Sequence, residues 1–154
     1  VRDAVSAAVQ QWPGAPIVVT GEDARRGAFA IATAALAASG TVSVELALAG
    51  VPAVIAYDVN KVTAAIATRL VKTDHVSLVN ILLKREAVPE YLLEKCRPDL
   101  LVPAVAGLLD NPDIRETQQH AYRTALDLLK PPDGLPSEVA ADVVTNLLKQ
   151  KAAA

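Results

Sequence analysis

The sequence predicts an α/β protein in which helices flank a Rossmann-like parallel sheet. The first observation is an apolar run, residues 34–38, that stops at Ser39-Gly40-Thr41 and is followed by helix-like sequence and a second apolar run at residues 51–57. Strand, glycine turn, helix and strand in this order form a βαβ unit. The second observation is composition: 52% of residues are hydrophobic but only 3% are aromatic. Burial must therefore depend on small and β-branched side chains, which suit helices packed closely on a parallel sheet.

Helices are predicted where apolar positions recur at helical spacing between turn residues. The first predicted helix stops before Pro13-Gly14, the third closes at Gly50 as a C-cap, and the fifth has Pro98 near its start. The last one is amphipathic. The predicted helices cover residues 3–12, 23–32, 41–49, 60–71, 98–109, 112–130 and 136–149.

Strands are predicted where short apolar runs lie between turn residues. The strand at 34–38 is weakly marked because alanine prefers helix. Residues 79–98 are expected to be a loop with a short helical turn. The predicted strands are a short buried one at 16–20, then 34–38 and 52–57, and a short fourth one at 76–78. Strands that alternate with helices indicate a parallel sheet. A nucleotide-binding domain of this type begins with a strand and a glycine-containing loop, so we expect that its first βα unit is missing from this chain.

Composition and motifs exclude several functions. At 154 residues the chain has the length of one domain, and its net charge of −2 argues against a nucleic-acid partner. The single cysteine, Cys96, excludes an internal disulfide. We recognise neither an apolar stretch long enough to span a bilayer nor a signal-peptide pattern. We therefore expect a cytoplasmic protein. His75 and His120 lack metal-ligand spacing, and the glycine-rich loop of NTPases and the nucleophile elbow of serine hydrolases are missing. We expect no metal and no cofactor.

The turn at Ser39, Gly40 and Thr41 is the first candidate site. Ligands of open α/β sheets bind where strand carboxyl ends meet helix amino ends, and Gly40 would let backbone approach an anionic ligand. Thr41 is equally interpretable as a plain N-cap. Glu45 could be an acid that favours the helix dipole, but it lies four residues after Thr41, one more than a capping box requires. A carboxylate at this place suits sugar hydroxyls, which donate to it.

An ordered set of motifs carries a family resemblance. It consists of Ala38-Ser39-Gly40-Thr41, Glu45, Pro52, Tyr57, Leu70-Val71-Lys72-Thr73, Ser77-Leu78, Asn80-Ile81 and Val88-Pro89-Glu90. This set resembles the carboxyl-terminal half of lipid-A-disaccharide synthase, a family of two-domain, B-type glycosyltransferases. The resemblance covers nearly the whole chain. It implies a partial UDP-sugar-binding domain at 1–130, with a carboxyl-terminal helix and tail at 131–154.

The resemblance also implies what the parent enzyme does. It would transfer a sugar from UDP-2,3-diacylglucosamine to 2,3-diacylglucosamine 1-phosphate and release UDP, within lipid A biosynthesis in a Gram-negative bacterium. The acceptor-binding amino-terminal domain, with the general base, and a Pro-Gly-Ser-Arg loop would be missing here, so we expect this chain alone to be inactive. Contact with the inner membrane would be peripheral and made by the missing half. A homo-oligomer is compatible with this scheme.

The implied site residues surround the donor. Ser39, Gly40 and Thr41 would approach the diphosphate, Glu45 would hold the ribose, and Glu90 would face the donor sugar. Tyr57, Ser77 and Asn80 are further implied substrate-binding residues, and the Ser77-Leu78-x-Asn80 segment would border the active cleft.

These assignments have competing interpretations. Asn80 could be an ordinary turn residue, and Val88-Pro89-Glu90 could begin a helix. Asp58 and Leu93 depart from the family, which usually has a basic residue and a glutamine there. The alternatives are another UDP-sugar transferase or 2-epimerase, and a catalytically silent structural domain.

Overall fold

The computed structural model describes residues 2–58, 75–131 and 134–152. Within these ranges the chain forms helices and a small sheet in alternation. The helices are α1 (Arg2–Val9), α2 (Glu22–Ile31), α3 (Val42–Ala49), α4 (Leu78–Leu83), α5 (Pro98–Asp110), α6 (Pro112–Asp127) and α7 (Pro136–Ala152). The strands are β1 (Ala35–Ala37), β2 (Ala53–Tyr57) and β3 (Glu90–Leu92), and a 3-10 turn, Leu93–Lys95, follows β3.

The three strands form one parallel sheet in the order β1-β2-β3. Ala37 pairs with Ile55 across the first ladder, and Tyr57 pairs with Leu92 across the second. This arrangement confirms the predicted α/β class with a parallel sheet flanked by helices. Because all three strands run in the same direction, their carboxyl ends lie along one edge of the sheet.

The core lies on both faces of β2. Val54 and Ile55, which point to opposite faces, are both fully buried. Ile55 belongs to a cluster in which α3, α4 and α6 meet, and α5 packs against β2. A second cluster joins Leu46 of α3 to Phe29 of α2. The small side chains that the composition supplies therefore let several helices pack closely on one short strand.

Proline and glycine fix several helix ends as the sequence predicts. Pro98 and Pro112 occupy the first turns of α5 and α6. Gly50 closes α3 in the left-handed conformation, with φ 70°. Asn111 caps α6 by accepting from the backbone N–H groups of Asp113 and Ile114. The predicted helices at both ends of the chain are also present, as α1 and α7.

Two predictions about individual elements are wrong, and a third is incomplete. Residues 16–20 are not a buried strand: they are exposed, with Ile17 87% accessible, and no strand among the described residues pairs with them. Residues 76–78 are not a strand, because the Glu90 carboxylate accepts the N–H groups of Val76 and Ser77 and α4 begins at once afterwards. The segment expected to be a loop with a short helical turn, 79–98, does contain helical structure in α4 and in the 3-10 turn, but it also contains β3, which was not predicted.

Two further predictions remain as such. The predicted helix at 60–71 lies outside the described residues, as do Lys72 and Thr73 of the family motif. The division at residue 130 stays a prediction. None of the helices that the structure describes is both long and apolar enough to cross a membrane.

Candidate functional site

The turn between β1 and α3 presents backbone to open space. Gly40 has φ 139°, a conformation that side chains rarely adopt. A Cβ placed on Gly40 would meet nothing within 4 Å. Ser43 stabilises the turn: its Oγ donates to the Gly40 carbonyl over 2.8 Å, and its backbone N–H donates to the same oxygen over 3.2 Å. The hydrogen bonds of Ser43 therefore hold the turn in place, while the space beside Gly40 stays open.

The amino end of α3 leaves donors at this turn. Val44 and Glu45 donate their N–H groups to the Thr41 carbonyl. The N–H groups of Thr41 and Val42 donate to no residue that the structure describes. Thr41 begins the helix, but its side chain makes no capping hydrogen bond and is exposed. The N-cap interpretation of Thr41 thus holds for its position but not for its hydroxyl.

Glu45 lies in the first turn of α3 and pairs with a residue of another helix. Its Oε2 is 3.1 Å from Nη2 of Arg25 on α2, and the two side chains are 34% and 47% exposed. Contacts between α2 and α3, with Phe29 packed against Leu46, bring the two helices together. The Glu45 carboxylate is consequently held at the surface, one helical turn from Gly40.

Glu90 forms the centre of a second, buried group. Its side chain is only 5% exposed, although it carries a carboxylate. It accepts hydrogen bonds from the N–H groups of Val76 and Ser77, the latter over 2.6 Å, and from Asn80 Nδ2 over 2.9 Å. His75 Nδ1 lies 3.6 Å from Oε2. Glu90 therefore anchors the segment that leads into α4.

Asn80 uses its whole amide inside the protein. Nδ2 donates to the Val88 carbonyl over 2.7 Å and to Glu90, and Oδ1 accepts from the N–H groups of Ala87 and Val88 over 2.8 and 2.9 Å. The side chain is fully buried. Asn80 thus connects α4 to the start of β3, and a direct contact with a ligand would require one of these hydrogen bonds to be replaced.

The structure divides the predicted site residues into two groups. Ser77, Asn80 and Glu90 form the buried cluster, whereas Ser39, Gly40, Thr41 and Glu45 line the surface turn. Tyr57 ends β2, is 41% exposed, and lies along the same sheet edge as the turn. α3 and α4 are neighbours, but no hydrogen bond or ion pair between described residues joins the two groups. Ligand contacts by these residues remain predictions.

Two functional or supporting residues were missed by the sequence reasoning. The first is Arg25, since nothing in the local sequence indicates that it meets Glu45. Gln118 of α6 is buried and bridges the sheet: Oε1 accepts from the Ala53 N–H over 2.6 Å, and Nε2 donates to the Ala53 carbonyl over 3.1 Å. Tyr122 donates to Gln118, and burial raises the pKa of its phenol above the ordinary value.

The described residues offer no metal centre. No group of three His, Cys, Asp or Glu side chains within residues 2–58, 75–131 and 134–152 is arranged to hold an ion.

Comparison with known proteins gives consistent matches. The family described as lipid-A-disaccharide synthetase matches residues 14–144. A lipid-A-disaccharide synthase of Gluconobacter oxydans (strain 621H) is 44% identical over 142 residues, which cover 92% of this chain and 34% of that protein. Those of Nitrobacter winogradskyi and Rhodospirillum centenum are 42% and 44% identical, each over 98% of this chain and 38% of the relative. The chain thus spans between a third and two fifths of the length of these relatives.

Proposed function

The chain belongs to the lipid-A-disaccharide synthase family of glycosyltransferases, and on that premise we propose that it forms the donor-binding part of such an enzyme. The donor would be UDP-2,3-diacylglucosamine, the acceptor 2,3-diacylglucosamine 1-phosphate, and the released product UDP. The acceptor site and the general base would belong to the larger part of the protein that this chain does not span.

One observation carries the proposal. At the carboxyl end of β1, Gly40 adopts φ 139° with open space where a side chain would be, directly before the amino end of α3. Backbone N–H groups at a helix start favour an anion, and a glycine lets that anion approach closely. The N–H groups of Thr41 and Val42, which no described residue accepts, suit the diphosphate of a sugar nucleotide.

Glu45 adds a contact of a different chemical kind. Oε2 is occupied by Arg25, whereas Oε1 accepts no hydrogen bond from a described residue. A carboxylate oxygen of this kind can accept from the vicinal hydroxyls of a ribose. Diphosphate at the helix start and ribose one turn along the helix would together orient a uridine nucleotide along the edge of the sheet.

This arrangement would assist the reaction through the leaving group. As the bond between the donor sugar and UDP breaks, negative charge grows on the departing diphosphate oxygen. Fixed N–H groups directed at that charge stabilise the transition state without having to reorganise. The Ser43–Gly40 hydrogen bonds would keep these groups in place. The Glu90–Asn80 cluster would support the neighbouring wall of the cleft by fixing α4 to β3.

Hydrogen exchange in the full-length protein tests the proposal. We expect UDP to slow exchange in peptides that cover residues 38–46, and to leave α7 unaffected as an internal control. Protection confined to regions outside the β1–α3 turn, at a UDP concentration that saturates the protein, would contradict the assignment. Competition by GDP and ADP would show whether the site also distinguishes uracil from the purine bases.

A further inference from the structure

Arg25 is in direct contact with the Glu45 carboxylate of the candidate donor site. Its Nη2 lies 3.1 Å from Glu45 Oε2, and the contact joins α2 to α3 through two residues that are twenty positions apart in sequence. Both side chains keep part of their surface in solvent, so a ligand can reach the pair. The adjacent Arg26 is directed elsewhere: it pairs with Glu22 within α2. Of these two neighbouring arginines, therefore, Arg25 contacts Glu45 and Arg26 does not.

The two carboxylate oxygens of Glu45 have different surroundings. Arg25 binds Oε2, and Oε1 has no hydrogen-bond donor among the described residues. An ion pair of this kind favours orientations of the carboxylate in which one oxygen faces the guanidinium and the other faces away from it.

We infer that Arg25 is a positioning residue for the nucleotide donor: it orients Glu45 toward the ribose hydroxyls. The inference rests on the proposed function, because it requires that a ribose binds Glu45. It does not require that Arg25 itself touches the nucleotide. The ion pair between α2 and α3 is thus part of the binding machinery rather than a surface pair that only stabilises the fold.

Two ligands separate positioning from direct contact. UDP carries ribose hydroxyls that Glu45 can bind, and 2′,3′-dideoxyuridine diphosphate has the same base and diphosphate without them. In the full-length protein, Arg25→Gln should weaken UDP binding by about two- to fivefold, the range typical of a half-exposed ion pair. It should leave the dideoxy analogue nearly unchanged. Arg25→Lys should recover part of the loss, because it restores the charge but not the planar fork.

Arg26→Gln is the matched control, since it removes the same charge from the next position of the same helix. It should leave both affinities as in the wild type. In a Glu45→Gln background, Arg25→Gln should have no further effect on UDP, because the residue that it positions is already altered. The thermal midpoint should move by less than about 2 °C in each variant, as expected for exposed pairs.

The outcomes are distinguishable. Equal losses of UDP and the dideoxy analogue would mean that Arg25 binds the diphosphate directly, and would overturn the positioning role. An Arg25→Gln variant that binds UDP like Arg26→Gln, while Glu45→Gln is impaired, would overturn the inference alone. Absence of UDP binding by the wild-type protein would instead overturn the proposed function.

Discussion

Replacing Asn80 by alanine should destabilise the protein more than any other substitution in the candidate site. Asn80 is fully buried and takes part in four hydrogen bonds. A net contribution of about 0.5–1.5 kcal/mol for each bond, with buried backbone partners left unsatisfied, gives a total loss of about 3–5 kcal/mol. At about 2–4 °C per kcal/mol for a chain of this size, the thermal midpoint should fall by about 6–20 °C.

Asn111→Ala provides the matched control. Asn111 is exposed and accepts two backbone hydrogen bonds at the start of α6. Loss of such a cap costs about 0.5–2 kcal/mol. Thermal unfolding followed by circular dichroism should therefore give a clearly lower thermal midpoint for Asn80→Ala than for Asn111→Ala. Similar unfolding temperatures for both variants, with UDP affinity lost only in Asn80→Ala, would refute this supporting role and would mean that Asn80 contacts the ligand.

Three other predictions concern particular residues. Gly40→Ala should destabilise the protein by about 1–3 kcal/mol, because alanine tolerates φ 139° poorly. Gly27→Ala, in the exposed middle of α2, should instead stabilise it by about 0.5–1 kcal/mol. Urea unfolding measures both free energies, and equal effects of the two substitutions would contradict backbone strain at Gly40. Gln118→Leu should cost about 2–4 kcal/mol by leaving the Ala53 N–H and carbonyl unpaired, and a loss below about 1 kcal/mol in the same assay would show that Ala53 finds other partners. Because burial raises the pKa of Tyr122, the folded state resists ionisation of this phenol: the stability that it contributes is present below about pH 10 and is lost as the pH rises above it. Tyr122→Phe should lose less stability over that alkaline range than the wild type does.

The sequence predicted those elements whose signals are local. Gly50 ends α3, and Pro98 and Pro112 begin their helices, as glycine and proline do through their own backbone preferences. The βαβ unit around Gly40 was predictable because two apolar runs flank a turn and a helical segment. Each of these features depends on residues that are close to one another in sequence.

The errors concern elements that depend on distant partners. Helix α4 is six residues long, too short to show a helical period, and its start is fixed by a carboxylate thirteen residues further along the chain. Residues 16–20 have the composition of a strand, but a strand also needs a neighbour, and no described strand pairs with them. The pairing of Arg25 with Glu45 likewise depends on how α2 packs on α3.

The candidate site was predictable in its residue types and less so in their roles. Gly40 and Glu45 lie at the surface where a ligand can reach them, as the motif indicates. Asn80 and Glu90 belong to the same motif set, but their polar groups are consumed by internal hydrogen bonds. A motif thus identifies residues that a site requires, without saying which of them touch the ligand and which hold the others.

The most direct test of the central claim is the affinity of UDP for Glu45→Gln in the full-length protein. A hydrogen bond to a charged group contributes about 1.5–3 kcal/mol, so calorimetric titration should show binding weakened by about ten- to a hundredfold. Glu22→Gln is the control: it removes the exposed acid that pairs with Arg26 within α2, and it should bind UDP as the wild type does. Both variants should keep their thermal midpoints, since exposed acids near helix starts contribute only about 0.3–1 kcal/mol. A Glu45→Gln variant with unchanged UDP affinity would contradict the donor-site assignment of this chain.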